Sequence, residues 1–383
     1  MADGRIKILH LITGLDTGGA EVSLQRLTKA MDPEHFENVV VSLTNHGPLS
    51  SVIRDQGIRV HAIRMSRSLP SPAAIWRLFR LFRTERPDVL QTWLYHADFF
   101  GLLIGKAALV PAIAWNIRCS HMGEEYQRGI NGILLRTLTH ISHYPDAIVA
   151  NSYAGKEEHV SFGYSAKRWE VLQNGFNLQI YKADAGARTE LRRELGLPDE
   201  TVLIGLVARY NPVKDHAGFL RAAALLLAEE RDVHFMLAGG GIDQANGILN
   251  GLIDQLGIRN RIHLLGRRDD VPMLTAGLDI ATCCSLGEGF PNVVGEAMAC
   301  LVPCVTTDVG DAARIVGDTG LVVPAGDALA LARGWRELIA KGAGGRAELG
   351  RRAMARIESD YSMTRCVERY QDFYQGLAKH PMQ

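Results

Sequence analysis

Two carboxylates with a turn between them are the first residues of this chain that could do chemistry. Glu288 and Glu296 stand eight positions apart, and a Gly-Phe-Pro-Asn segment follows the first of them. Because proline suits the first turn of a helix, Pro291 predicts a helix over residues 291–300. The unpaired N–H groups at such a start bind anions, a diphosphate above all. With one glutamate on either side of it, the expected ligand is a nucleoside diphosphate sugar.

Two cations in one predicted loop supply the matching charge. Residues 202–207 are apolar without alternation, which predicts a buried strand of a parallel sheet. Arg209 and Lys214 follow, and a helix is predicted over residues 217–230. A fork-shaped guanidinium and a point-charge ammonium in one strand-to-helix loop can converge on a single anion. They could therefore hold a diphosphate without a metal ion.

The elements that must position these residues follow an α/β pattern. An apolar strand at residues 6–12, a glycine loop with Gly18 and Gly19, and a helix from Ala20 predict a doubly wound domain. Further strands are predicted at residues 38–43, 59–63, 89–92, 112–116 and 147–150, and after residue 201 at 202–207, 233–238, 261–264, 278–282, 302–307 and 321–323. The glycine loop does not fit G-x-G-x-x-G, which disfavours a dehydrogenase.

Length and composition are those of an ordinary globular protein. A chain of 383 residues predicts two domains, and 47% apolar with 22% charged residues is typical of soluble proteins. A formal net charge of zero gives no case for nucleic-acid binding. The six cysteines show neither C-x-x-C nor zinc-site spacing, so buried reduced thiols are expected. A predicted strand begins within a few residues of Met1, so no signal peptide is expected. No apolar run is long enough to span a bilayer, and a cytoplasmic location is expected.

The stretch from Glu288 to Glu296 resembles the E-x7-E signature of retaining glycosyltransferases of family 4, which have the GT-B fold. Residues 18–21 resemble the GG-x-E loop of that family, and an Asn-Gly pair at residues 174–175 resembles its crossing between domains. The resemblance implies two Rossmann-like, doubly wound parallel-sheet α/β domains facing a cleft. Residues 1–174 would form the acceptor side, residues 175–362 the donor side, and residues 363–383 a terminal helix that returns to the first domain.

The family resemblance also implies a reaction. A hexose or N-acetylhexosamine would pass, with retention, from a nucleotide sugar, expected to be UDP-linked, to a glycan or lipid-linked acceptor in polysaccharide or glycoconjugate biosynthesis. No metal and no other cofactor is expected. The residues predicted to bind the donor are Gly18, Gly19, Arg209, Lys214, Arg268, Glu288, Gly289, Phe290, Pro291, Asn292, Val293 and Glu296.

The resemblance names the catalytic groups as well. Arg209, Lys214 and Glu288 would act on the donor. Several members of the family carry a catalytic histidine in the loop after the strand at residues 112–116. Arg118 occupies that place here and His121 follows three residues later, so which of the two acts on the acceptor side stays open.

Two other functions remain open for the same fold. A sugar-nucleotide epimerase would share the donor, and a non-catalytic protein could bind a nucleotide sugar without turnover. Hydrolysis or epimerisation of the donor without an acceptor would favour the first. Donor binding without turnover would favour the second.

One predicted helix of the first domain has a composition that suits a membrane surface. It begins at Ser71 and Pro72, and Ile75, Leu78, Phe79 and Phe82 form its expected core stripe. Trp76, Arg77, Arg80 and Arg83 lie beside that stripe. Through Gly175 the chain carries 19 Lys and Arg against 16 Asp and Glu. Weak peripheral membrane contact is one interpretation, and a packed helix whose arginines reach past the core to water is the simpler one.

Overall fold

The computed structural model describes residues 4–66, 71–118, 129–230 and 232–379. The chain divides into two compact units. The first comprises Met1–Gly175 together with Met363–Gln383, and the second comprises Phe176–Ser362. Each unit has its own sheet and its own apolar core.

The first unit is built on a parallel sheet of seven strands within the described residues. They are β1 (Ile6–Ile12), β2 (Phe36–Ser42), β3 (Arg59–Ala62), β4 (Val89–Trp93), β5 (Ala112–Ile117), β6 (Ala147–Ala150) and β7 (Trp169–Val171). Their order is β3-β2-β1-β4-β5-β6-β7. Leu9 packs into one core cluster and Ile8 into another, so both faces of the sheet are covered. The predicted doubly wound parallel sheet is confirmed.

Helices cover the two faces of this sheet. Those described before the boundary are α1 (Gly19–Ala30), α2 (Leu49–Asp55), α3 (Pro72–Glu85), α4 (Tyr95–Ala107), α5 (Gly129–Ile141) and α6 (Tyr153–Ser161). Helix α3 begins as predicted, because the Ser71 side chain accepts a hydrogen bond from Ala74 N. Its buried stripe runs through Ala74, Leu78, Phe82 and Glu85. The prediction that Ile75 belongs to the core was wrong, since that side chain is 39% exposed.

The second unit is built on a six-stranded parallel sheet within the described residues. Its strands are β8 (Val202–Val207), β9 (Val233–Ala238), β10 (Ile262–Leu264), β11 (Ile280–Cys283), β12 (Cys304–Thr307) and β13 (Leu321–Val323), in the order β10-β9-β8-β11-β12-β13. Two strands begin two residues later than predicted. Leu278 N still bonds to Thr275 O and completes a turn before β11, and Pro303 has no N–H with which to extend β12.

Eight described helices surround that sheet. They are α7 (Ala187–Leu195), α8 (His216–Leu227), α9 (Gly247–Gln255), α10 (Val271–Ala276), α11 (Asn292–Ala299), α12 (Ala312–Val316), α13 (Ala328–Ala340) and α14 (Gly342–Tyr361). Short 3-10 turns lie at Pro212–Lys214 and Arg259–Arg261. The first of these turns carries one of the predicted donor-binding cations.

A buried ion network joins the amino ends of β8 and β11, the two strands that lead into the predicted donor loops. The guanidinium of Arg192, fully buried, pairs with Asp279, and Asp279 Oδ2 also accepts a hydrogen bond of 2.8 Å from Leu203 N. Arg188 pairs with the other oxygen of the same carboxylate. Because Asp279 directly precedes β11 and accepts from Leu203 N in β8, this network holds the two strands together. Separating them would leave a buried charge without its partner, which is costly.

The last helix, α15 (Met363–Lys379), belongs to the first unit. Its buried side chains pack with residues of β1 and α1 in one core cluster. The thiol of Cys366 donates to Gln173 O over 3.3 Å, and Asn116 Nδ2 donates to the Tyr370 hydroxyl over 3.2 Å. Among the described helices, none combines the length and the apolarity that crossing a bilayer requires.

Candidate functional site

The carboxyl ends of β8, β9 and β11 surround an open pocket of about 300 Å³ in the second unit. Arg209 and Lys214 reach it from the loop after β8, and Ser285 and Glu288 from the loop after β11. The rest of its wall is formed by Leu206, Val207, Ala208, Ala238, Gly239, Cys283 and Val293. The structure therefore brings both predicted cations and the first glutamate to one pocket.

The loop that carries Lys214 is a short, heavily bonded turn. Asn211 Oδ1 accepts a hydrogen bond of 2.9 Å from Val213 N and so starts the 3-10 turn. Asp215 follows in the left-handed region at φ 48° and caps α8 by accepting from Gly218 N at 2.9 Å. Tyr210 N bonds to Gly240 O over 2.8 Å. Each end of the loop is fixed, so the Lys214 backbone has little freedom.

Glu288 receives two donors on one oxygen. The Lys214 ammonium forms an ion pair with Glu288 Oε1, and Ser285 Oγ donates to that same oxygen over 2.6 Å. The two charged side chains are 26% and 13% exposed, so the pair is only partly shielded from water. Lys214 and Glu288, which the sequence predicts to bind different parts of one ligand, therefore contact each other in the structure.

Two glycines allow the strands and loops of this pocket to approach closely. Gly239 has φ 154°, and a Cβ there would lie 2.1 Å from the carbonyl oxygen of Ala208. Gly310 has φ 58°, and its Cβ would lie 2.4 Å from the carbonyl oxygen of Glu288. A side chain at either position would push the backbone of a pocket loop out of place.

Glu296 lies in helix α11 and does not line this pocket. Pro291 is the N-cap of this helix, with ψ 96°, and the first helical residue is Asn292. Glu296 is 9% exposed and lines a second cavity of about 10 Å³, which has room for about one water molecule. Val293 lines both cavities. Glu296 thus lies outside the pocket that Glu288 lines, and its contact with the donor stays a prediction.

The first unit presents a different carboxyl edge. Arg118, directly after β5, lies with its guanidinium carbon 5.2 Å from the centre of the Trp93 ring, and Nη2 donates to Asn174 Oδ1 over 2.5 Å. His121 lies outside the described residues. Gly18 is the N-cap of α1, and both Gly18 and Gly19 are exposed. The predicted roles of these residues in binding donor or acceptor stay predictions.

Two family models match this chain in succession. The model described as Glycosyltransferase Family 4 matches residues 17–180, and the model described as Glycosyl transferases group 1 matches residues 201–341. The chain belongs to glycosyltransferase family 4. The predicted membership is confirmed, and with it the activity at the level of a glycosyltransferase.

Several relatives are similar in sequence to this chain over much of their length. The Bacillus subtilis protein EpsF is 26% identical over 317 residues, which is 80% of either chain. An N-acetyl-alpha-D-glucosaminyl L-malate synthase of Bacillus anthracis is 30% identical over 61% of this chain and 60% of its own length. The Escherichia coli enzyme named UDP-Gal:alpha-D-GlcNAc-diphosphoundecaprenol alpha-1,3-galactosyltransferase is 22% identical over 80% of either chain.

The same fold occurs in solved structures. Anabaena HepE in complex with UDP superposes with a TM-score of 0.86 at 23% identity, covering 97% of this chain and 100% of that one. A sucrose-phosphate synthase of Thermosynechococcus elongatus has a TM-score of 0.79 at 18% identity, covering 97% and 99%. These likenesses show that this family-4 glycosyltransferase has the GT-B fold, as predicted.

Two residues that the sequence assigns to donor binding in this family-4 enzyme have other contacts in the structure. The ring of Phe290 is 6% exposed, stacks 6.0 Å from Phe176 and belongs to a core cluster. Arg268 donates to Asp270 from Nε at 2.8 Å and from Nη2 at 2.6 Å, and it also pairs with Glu194. Neither residue lines the pocket. Their donor contacts stay predictions, and that of Phe290 would have to come from its backbone.

Ser285 is the residue at this site that sequence reasoning missed. It is 2% exposed, lines the pocket and bonds to the Glu288 carboxylate. The signal available in the sequence is its place directly after a predicted strand and three residues before the glutamate. A short hydroxyl side chain at that distance can donate to the carboxylate within one loop.

Proposed function

We propose that this enzyme transfers a hexose or N-acetylhexosamine from a UDP-sugar to a glycan or lipid-linked acceptor, with retention at the anomeric carbon. The observation that supports the donor class is the convergence of Arg209, Lys214 and Glu288 on one pocket at the carboxyl edge of a parallel sheet. Solved complexes of Anabaena HepE contain UDP and UDP-glucose, and the Escherichia coli relative is named for a UDP-galactose donor and a diphosphoundecaprenol-linked acceptor.

The proposed mechanism follows from the charges that develop. When the bond between sugar and phosphate breaks, negative charge grows on the leaving diphosphate and oxocarbenium character on the sugar. Arg209 and Lys214 donate to the departing charge, and donors of this kind in an enzyme site contribute about 3 kcal/mol each. Glu288 holds sugar hydroxyls beside the positive charge, and Glu296 holds the ribose. The leaving phosphate then assists attack by the acceptor on the same face, which gives retention.

The cations of the pocket also account for metal independence. They neutralise the diphosphate in place of Mg²⁺ or Mn²⁺, because a guanidinium fork and an ammonium together match its charge. The enzyme is therefore expected to work in the presence of excess EDTA. Loss of activity in EDTA with rescue by Mn²⁺ would show that a metal ion, rather than side chains alone, stabilises the leaving group.

The direct test is a screen of nucleotide sugars by thermal shift, followed by an assay for nucleotide release with and without glycan and lipid-linked acceptors. A ligand that binds the folded state raises the melting temperature as RT ln(1 + [L]/Kd) predicts, without knowledge of the acceptor. UDP-sugars should shift the melting temperature, and acceptors should increase UDP release. Epimerised product without acceptor would identify an epimerase, and a shift without turnover would identify a binding protein.

We also propose a weak contact between the first unit and the cytosolic face of a membrane, where a lipid-linked acceptor would lie. Trp76 is 58% exposed and its ring stacks on Phe79 with 5.5 Å between ring centres. Exposed arginines flank it at positions 77, 80 and 83 of the same helix. An aromatic ring beside several arginines on one helix face suits the interface between water and anionic lipid.

A further inference from the structure

Lys214 has two partners in this site that compete for its charge. In the structure its ammonium pairs with Glu288 Oε1, whereas the proposed function requires it to stabilise the leaving diphosphate. A diphosphate carries more negative charge than one carboxylate, so a bound donor draws the ammonium away from Glu288. Glu288 would then lose its charged partner at the moment when its orientation towards the sugar matters.

Ser285 provides a second contact that the diphosphate does not disturb. Its hydroxyl donates to Glu288 Oε1 over 2.6 Å, and its side chain is almost fully buried. Its carbonyl oxygen accepts a hydrogen bond of 2.6 Å from the buried Thr307 hydroxyl at the end of β12. The next residue, Leu286, donates from its backbone N–H to Val213 O over 2.7 Å. The serine is therefore fixed from two sides by groups that carry no charge.

We propose that Ser285 is a positioning residue, which keeps Glu288 oriented towards the donor sugar while Lys214 binds the diphosphate. Both donors use Oε1, so the other carboxylate oxygen stays available for a sugar hydroxyl. This inference rests on the proposed function, and it adds a residue that acts through Glu288 rather than on the substrate. In the donor-free protein Lys214 and Ser285 hold the carboxylate together, and in the donor complex Ser285 holds it alone.

The test compares Ser285→Ala, Ser285→Cys and wild type. We measure UDP affinity by calorimetry, the melting temperature without ligand, and kcat for UDP release from UDP-glucose, UDP-galactose and UDP-N-acetylglucosamine. Ser285→Ala should lower kcat by about ten- to a hundredfold, the range expected for a misplaced catalytic group. Its UDP affinity and melting temperature should stay near wild type, because Lys214 still holds Glu288 in the free protein. Ser285→Cys should give an intermediate kcat, since a thiol is a weaker donor.

A matched control and a double variant separate positioning from general stability. Thr319→Val removes another buried hydroxyl of the same unit, which donates to Val316 O over 2.7 Å and does not line the pocket, and it should leave kcat unchanged. In a Glu288→Gln background, Ser285→Ala should cause far less additional loss than it does alone, because the two residues act through one carboxylate. Additive losses would overturn the proposal.

Two further outcomes are decisive. Wild-type kcat in Ser285→Ala, or a loss of UDP affinity as large as the loss of rate, would overturn the role of Ser285 while the proposed function stands. If the wild-type enzyme neither binds UDP nor releases it from any of the three sugars, the UDP-sugar assignment fails, and the role of Ser285 fails with it.

Discussion

The carboxyl edge of the second sheet and the buried interior of the first unit treat their titratable side chains in opposite ways. In the second unit Lys214 and Glu288 form an ion pair that is partly exposed and lies at an open pocket. In the first unit His10 and His159 are fully buried, and burial lowers the pKa of each histidine to about 4. This charged edge of the second sheet suits the proposed anionic ligand, whereas the buried polar groups of the first unit fix its own core.

The hydrogen bonds inside the first unit support that distinction. His159 donates from Nδ1 to Gly155 O over 2.7 Å, which leaves Nε2 to accept from the Tyr95 hydroxyl at 2.9 Å. The pKa of Asp98 is raised well above its usual value by burial, and the Thr92 hydroxyl donates to its carboxyl group. Satisfied, buried groups of this kind define a unique packing and are poorly placed to contact a substrate.

The largest expected effect lies at the charged edge. Arg209→Ala or Lys214→Ala should each lower kcat a hundredfold or more, about 3 kcal/mol, because each removes a preorganised donor for the leaving diphosphate. The measurement is UDP release under saturating donor, together with a melting curve. Arg221→Ala, an exposed cation of α8 outside the pocket, serves as the control and should be neutral. Near-normal turnover in either pocket variant would remove that residue from the mechanism.

The second prediction concerns the acid stability of the first unit, where histidines are buried. The pKa of His10 is about 4 in the folded state against about 6.5 when unfolded, so the unfolded chain takes up the proton first. The contribution of His10 to stability is therefore complete above pH 6.5 and falls by about 1.4 kcal/mol per pH unit towards pH 4. Hydrogen exchange of β1, measured across that window, should accelerate as the pH falls, after correction for the intrinsic exchange rate.

Two variants sharpen this acid prediction. His10→Gln keeps a polar side chain but does not titrate, so the exchange of β1 should depend less on pH. His35→Gln changes an exposed histidine of the same unit and should leave the dependence as in wild type. Identical profiles for all three proteins would show that His10 does not control the acid stability of β1.

Substitutions of the two glutamates, Glu288 and Glu296, should have different effects on UDP affinity and on kcat. Glu296→Gln should weaken UDP binding about tenfold, the usual cost of losing a hydrogen bond to a charged group. Glu288→Gln should lower kcat, because Glu288 is proposed to hold the sugar. It should not weaken UDP binding, because it removes the carboxylate that competes with the diphosphate for Lys214. Calorimetry with UDP and steady-state rates measure the two effects independently. An equal loss of UDP affinity in both variants would mean that the two roles were assigned wrongly.

The sequence predicted the parallel sheets and the meeting of Arg209, Lys214 and Glu288 because both follow from topology. Carboxyl ends of neighbouring parallel strands lie at one edge, whatever the side chains do there. The ion pair between Lys214 and Glu288 was not predictable, since it depends on the conformations of two long side chains. The exposure of Ile75 was missed for a related reason. Two apolar rows run side by side on α3, and only packing on the sheet decides which row is buried.

The exposed side of α3 carries Trp76 and the three arginines, and it leads to the last prediction, which has the smallest expected effect. Each arginine near an anionic surface contributes about 1 kcal/mol, and salt screens that attraction. Sedimentation with anionic vesicles should therefore recover a minor, salt-sensitive fraction of the enzyme, and neutral vesicles should recover less. Changing Arg77, Arg80 and Arg83 to Gln should abolish the difference between the two kinds of vesicle. Trp76→Ala should reduce binding to anionic vesicles as well, because its exposed ring would insert at the interface.

The control for this last prediction must change charge without changing the helix. Arg333, Arg351 and Arg352 are exposed in the second unit, and their replacement by Gln removes the same number of positive charges. If net charge alone drives the contact, both triple variants lose binding equally. If the face of α3 drives it, only the variant in the first unit does. Equal recovery of every protein in the supernatant would mean that α3 only packs on its sheet and that the enzyme meets its acceptor in solution.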